Sequence, residues 1–164
     1  MAPVGSASAT KSIATAVLEM IALDTNLLVY AHRPEMPFHA AAQTLVLALA
    51  NGSQRWGIPW PCVHEFLGVV TNPRIFREPT PIGVGLDSVI ALQASDTLEL
   101  LSEGDGYFDL LGLLARPARI QGAVVHDARI AAICRFHGVR ELWSADRDFT
   151  RFPQLKVRNP LLTQ

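Results

Sequence analysis

With 164 residues, 49% of them hydrophobic and 18% charged, the chain has the length and apolar content for one sizeable core, which excludes an acidic disordered chain. A formal net charge of -1 argues against a wholly basic nucleic-acid coat. Two cysteines, Cys62 and Cys134, with no CxxC pair and no companion His at metal spacing, indicate neither a disulfide framework nor a zinc site and suit a reducing cytoplasm. No run of about 18 apolar residues exists to cross a membrane. Charge is unevenly placed: residues 78–109 carry seven acids and no Lys or Arg, whereas residues 116–164 carry nine basic residues against four acids. Arg supplies twelve of the fourteen cations, which suits bidentate phosphate contacts, although solvated helix faces would read the same way.

In chain order, residues 1–19 are rich in small side chains and lack the charged and apolar regions of a signal peptide. They read as an upstream-start extension or an added leader, best taken as a frayed tail before a single domain over 20–164. Residues 20–23 form a short buried strand, followed by a helical turn over 27–31 and a break at Arg33-Pro34. The run FHAAAQTLVLALA predicts a helix over 38–50, stopped by Asn51-Gly52. RWGIPW is a second strand, and Pro61 opens the next helix, PCVHEFLGVV, which ends before Asn72-Pro73. A Pro- and Gly-bearing connection leads to a helix over 86–94. TLELL is a third strand and SEGDGY its exposed loop. Helices follow over 108–115 and 124–137, the second closed by Gly138. VRELWSADRDF holds a fourth strand and LKVRNPL a short last one. Strands alternating with helices predict an α/β fold, a parallel sheet of four or five strands with helices on both faces.

Ligands of open α/β sheets bind beyond the C-terminal ends of the strands. Asp24 directly follows the first strand, and Asp146 and Asp148 follow the fourth, so two loops aim acids at one rim. Glu65 has Pro61, Cys62, Gly68 and Val69 as helical neighbours, and Asp127 has Val124, Ile130, Ala131 and Cys134. An ionised carboxylate among apolar neighbours is costly unless it is paired, hydrogen-bonded or metal-bound. Each acid taken singly has a bland alternative: Asp24 as an N-cap, Asp127 as a complement to the helix dipole, Asp146 and Asp148 as turn residues, Glu65 as the partner of a buried Arg. Together they point to a hard cation, because clustered Asp and Glu without His or Cys suit Mg²⁺, which takes oxygen ligands and keeps several waters. Arg33, Arg129, Arg147 and Arg151, each near an acid in sequence, are candidates for guiding a nucleic-acid backbone. His64 and His126 each precede a candidate ligand, but neighbouring helical residues point about 100° apart, which argues against general-base roles. Trp56, Trp60 and Trp143 lie in or beside strands and are expected to pack in the core.

The segments MIALDTNLLVYAHR, PCVHEFLGVVTNPRIF, VVHDARIAAICRFHGVRELWSADRDF and LKVRNPL together resemble the PIN-domain ribonucleases, most closely the VapC toxins of bacterial type II toxin–antitoxin systems. The likeness runs from Met20 to about Leu161. The resemblance implies a PIN-like three-layer α/β/α fold and a Mg²⁺-dependent endoribonuclease, with Mn²⁺ as a substitute. It assigns Asp24, Glu65, Asp127 and Asp146 as catalytic metal ligands and Asp148 as an accessory acid. It implies Asn26 as the amide that orients Asp24, and Ser144 as a hydroxyl beside a carboxylate or water. Transfer or ribosomal RNA would be the substrate and a VapB-type antitoxin the partner, in a toxin homodimer and a toxin–antitoxin hetero-oligomer in the cytoplasm. Two other readings stay open: a PIN-like module that binds RNA without turnover, and an Asp-based phosphotransfer domain. The last is weakened because Asn26 replaces the second Asp of a dehalogenase pattern, and only Lys11 and Lys156 could serve as a receiver lysine.

Overall fold

Parallel strands need long crossover connections, and the alternating pattern supplies them in the form of helices. In the computed structural model, which describes residues 19–162, the strands are β1 (Ile21–Leu23), β2 (Trp56–Pro59), β3 (Leu98–Leu101), β4 (Glu141–Trp143) and β5 (Val157–Arg158). The helices are α1 (Thr25–His32), α2 (His39–Ala50), α3 (Trp60–Val70), α4 (Ile82–Gln93), α5 (Tyr107–Ala118) and α6 (Val124–Phe136), and a 3-10 turn covers Asp148–Arg151. The expected extension over residues 1–19 lies outside the described residues except for Glu19, whose carboxylate pairs with Arg140 at 2.8 Å.

The five strands run in the order β3-β2-β1-β4-β5, all pairings parallel, within a three-layer α/β/α fold. Leu23, Trp56, Ile58, Leu101, Ile133 and Leu142 are fully buried at its centre. Trp60 and Trp143 pack partly buried against that core. Gly57 lets β2 approach β3: a Cβ there would stand 2.8 Å from a methyl of Leu101. After α6, Gly138 takes the left-handed conformation (φ 64°) that ends the helix.

Two helices depart from the sequence expectation. α4 begins four residues earlier than expected, at Ile82, directly after Pro81. Gly83 and Gly85 each disfavour a helix by about 1 kcal/mol, yet Gly85 is buried where a side chain would press on Leu67 of α3, a Cβ there lying 3.1 Å from its methyl. Close packing between α3 and α4 overrides local preference. α5 continues past the expected end at Ala115 to Ala118, takes Pro117 into its last turn and stops at Arg119 in the left-handed region (φ 47°).

Arg33 has a structural task. It is 9% exposed, donates to Thr80 Oγ1 and to the Glu78 carbonyl, each at 2.8 Å, pairs with Glu35, and stacks 4.1 Å above the Phe76 ring. These bonds pin the end of α1 to the loop between α3 and α4. Arg33→Met should keep the packing of the stem but leave these acceptors unmet, costing about 2 kcal/mol. The expected readout is a melting temperature lower by about 4–8 °C, with metal binding at the acids unchanged by calorimetry.

Candidate active site

The strand order reverses at β1. The chain moves outward to β2 and β3, then returns to place β4 and β5 on the other side of β1. Such a switch point opens a crevice beyond the strand ends. Leu23 and Trp143, the last residues of β1 and β4, are paired in register, and the Asp24 N–H donates to the Trp143 carbonyl at 3.0 Å. The residues that follow each strand therefore meet: Asp24, Thr25 and Asn26 from one side, Ser144, Ala145 and Asp146 from the other.

Asp24 is the N-cap of α1, 4% exposed, and both of its oxygens accept hydrogen bonds. Oδ1 accepts from the Thr25 N–H at 2.8 Å and, more weakly, from the Cys62 thiol at 3.6 Å. Oδ2 accepts from Asn26 Nδ2 at 2.7 Å and Ser144 Oγ at 2.6 Å. Asn26 in turn accepts from the Ala145 N–H at 3.0 Å, and Ser144 Oγ from the Asp146 N–H at 2.9 Å. The two loops are thus stitched together through the carboxylate. Burial pushes the Asp24 carboxyl up to about 6; the bonds from Ser144 and Thr25 oppose the rise and the charge of Glu65 adds to it.

Three further acids face the same space, a cavity of about 250 Å³ lined by Asp24, Glu65, Asp127 and Asp146. Glu65 comes from α3 and is exposed; its Oε2 accepts from Thr25 Oγ1 at 2.6 Å. Asp127 sits in the first turn of α6, where burial, then Asp146, Asp148 and Glu65, raise its carboxyl above the ordinary value. Asp148 does not line the cavity: its N–H donates to Asp146 Oδ1 at 2.8 Å, and its exposed carboxylate lies 3.9 Å from Arg151.

No Lys, Arg or His lines this cavity among the described residues, so four carboxylates face one another with no basic side chain between them. Nor, among the described residues, do three metal-binding side chains close on one point. A splayed all-oxygen donor set around a polar cavity fits a hard cation that keeps part of its water shell, and does not fit a closed cage. Asp24, Glu65, Asp127 and Asp146 are the residues that could hold it.

The PIN domain family model matches residues 21–155, a span that includes all of these acids. The chain belongs to the PIN-domain family. Within that family it is 37% identical over 142 residues to Ribonuclease VapC43 of Mycobacterium tuberculosis, covering 87% of this chain and 96% of the relative. It is 31% identical over 137 residues to Ribonuclease VapC48 of the same organism, covering 84% and 94%. Among solved structures, VapBC2 from Rickettsia felis bound to a promoter DNA fragment superposes with a TM-score of 0.61 at 19% identity, covering 85% of this chain and 97% of that one. VapC20 of M. tuberculosis, described as a Sarcin-Ricin loop cleaving toxin, gives 0.57 at 17% identity over 79% and 92%. These structures share the PIN fold seen here.

In this PIN domain the four candidate arginines separate. Arg33 is taken up by the fold and does not line the acid cavity. Arg129 lies on α6 beside the cavity, its Nε donating to Glu103 at 2.5 Å. Arg147 and Arg151 are exposed on and beside the turn that follows Asp146. Sequence reasoning missed two residues of the site. Thr25 anchors Glu65, a role hidden because its partner is forty positions away. Cys62 gives Asp24 a buried thiol donor; its place one helical turn before Glu65 was the available signal. Burial drives the Cys62 thiol pKa well above the ordinary range, so it remains a neutral donor.

Proposed function

We propose that this PIN-domain protein is a Mg²⁺-dependent endoribonuclease and the toxin of a type II toxin–antitoxin pair. The observation that carries this reading is the meeting of four carboxylates from four separate segments of the chain in one 250 Å³ cavity at the sheet's switch point, with no basic side chain lining it among the described residues. The naming of its 31–37% identical relatives as ribonucleases supports the reaction class. One or two Mg²⁺ ions held by Asp24, Glu65, Asp127 and Asp146 would supply a water acidic enough to attack phosphorus and would neutralise charge on the phosphodiester.

The protein's own part is to hold the ligands. Asn26 and Ser144 fix one oxygen of Asp24, the Thr25 N–H fixes the other, and Thr25 Oγ1 fixes Glu65. Each keeps a carboxylate from turning away from its neighbours when the site is empty of cation. A phosphotransfer reading is not favoured, since Lys156 pairs with Glu141 at 2.9 Å and does not line the cavity.

Transfer or ribosomal RNA is the proposed substrate, and a VapB-type antitoxin the proposed partner. The apolar surface supports a protein partner: Ile82, Leu86 and Ile90 of α4 are 46–61% exposed beside a cavity of about 180 Å³ lined by Leu28, Val46, Phe66 and Val89. The structural neighbours include toxin–antitoxin complexes, which agrees with that partner class. Incubation of purified protein with total RNA in Mg²⁺ should release fragments with 5′-phosphate and 3′-hydroxyl ends, and EDTA should abolish them. Undiminished cleavage in EDTA, or 5′-hydroxyl ends, would refute the mechanism.

A further inference from the structure

Beside the acid cavity lies a second one of about 280 Å³, a groove between the first two turns of α3 and of α6 lined by Pro61, His64, Glu65, His126, Arg129 and Ile130. The two share Glu65 and Ile130 and therefore adjoin. Their chemistries differ: four carboxylates line the first, whereas in the second two imidazoles and a guanidinium stand with the shared Glu65 carboxylate. The residues recur one helical turn apart on each helix, 61, 64 and 65 facing 126, 129 and 130, so both helices present donors to one channel.

Two of the three donors have a neighbour that holds them. The Trp60 ring lies 5.8 Å from that of His64 at an interplanar angle of 32°, and Glu103 accepts from Arg129 Nε at 2.5 Å. That bond uses Nε alone of the guanidinium fork. His64 and His126 are exposed rather than core residues, so packing does not account for them. Imidazole N–H groups and a guanidinium are donors that match phosphate oxygens.

We infer that the His64–His126–Arg129 groove is a phosphate-binding subsite, which takes the RNA phosphate neighbouring the one presented to the acids. The inference rests on the ribonuclease reading for the identity of the ligand, but not on turnover. The strand then lies from the acids across the Glu65–Ile130 wall into the groove, and the scissile bond belongs to the phosphate presented to the acids.

The test is NMR of the imidazoles of the ¹⁵N-labelled full chain in EDTA and low salt, titrated with a dodecameric oligouridylate. The rings are assigned with His64→Gln and His126→Gln. The expected result is that the His64 and His126 rings shift along one saturating curve while His32 and His137, which do not line the groove, stay in place. Arg129→Ala should weaken that curve about tenfold. The His64→Ala/His126→Ala double variant should raise KM for RNA cleavage in Mg²⁺ about tenfold or more, with Mn²⁺ binding by calorimetry unchanged. Groove rings that do not move, movement of all five rings alike, or a double variant that binds the RNA as tightly as the parent would overturn the subsite. If the rings move as expected and the parent fails to cleave RNA in Mg²⁺, the subsite stands and the ribonuclease reading falls.

Discussion

Asp24→Asn and Asp127→Asn are each expected to lower the rate of RNA cleavage in saturating Mg²⁺ by at least about 10²-fold, and to have different effects on stability. Each substitution removes one of four charges that face a shared cavity without a protein cation among its lining. A ligand carboxylate contributes several kcal/mol to charge stabilisation through the ion it holds, and about 1.4 kcal/mol is tenfold in rate. Asp24 accepts four hydrogen bonds across its two oxygens. An amide in its place must turn an NH₂ toward donors on one side or the other, so Asp24→Asn gives up at least one bond as it relieves a buried charge. Asp127 is held above its ordinary pKa by burial and by three neighbouring acids. Asp127→Asn should therefore raise the melting temperature of the metal-free protein while removing activity, which is the pattern of a functional residue kept at a cost to stability. Thr25→Val, which frees Glu65, should cost about 10–100-fold in activity. Asp148→Asn, outside the cavity, should cost less than about threefold. Cleavage rates and melting curves on the same protein preparations check all four; parental activity in either Asp24→Asn or Asp127→Asn would sink the metal-ligand assignment.

Much of this was legible in the sequence because the signals were local. A carboxylate at the end of a short apolar strand has few places to be, and the alternation of strand and helix places the ends of β1 and β4 on one rim. Among the described residues, all five strands and all six helices fall on segments whose residue pattern announces them, with the sheet at five. What was not legible depends on contacts between distant segments. The early start of α4 rests on the packing of Gly85 against Leu67, and glycine content alone argues against it. The assignment of Arg33 to the fold needs Thr80, Glu78 and Phe76, all more than forty positions away. The same holds for the basic groove: the direction of neighbouring helical residues argues against His64 and His126 as general bases, and nothing in one sequence shows that the two project into one channel. The side chains beside the ligands form a surface of their own, which periodicity along either helix cannot reveal.

Stabilisation of the fold by Mg²⁺ should be almost nil at pH 5 and rise to a plateau above about pH 7. Burial raises the Asp24 carboxyl from 3.8 to about 6, so the metal-free folded protein holds that proton more tightly than the unfolded chain does. The resulting contribution to stability is fully present below about 3.8 and is lost as pH rises through about 6, a loss of up to about 3 kcal/mol. Asp127 is raised as well and works in the same direction. A cation competes with those protons, and above pH 6 it offsets the charge left behind. Metal at about ten times its Kd adds about 1.4 kcal/mol, or about 3–6 °C in a chain of this size. His32 works in the opposite direction in this pH window: burial and then Arg33 hold its ring below 6.5, so its contribution is lost as pH falls. Its ring bonds to Thr80 and Ser88 and does not line the acid cavity, so it contributes equally with and without metal and cancels in the difference. The measurement is therefore the melting temperature in Mg²⁺ minus that in EDTA, taken from pH 5 to 8. A difference that does not change with pH, or one that persists in an Asp24→Asn/Asp127→Asn double variant, would mean that the cation binds elsewhere on the molecule.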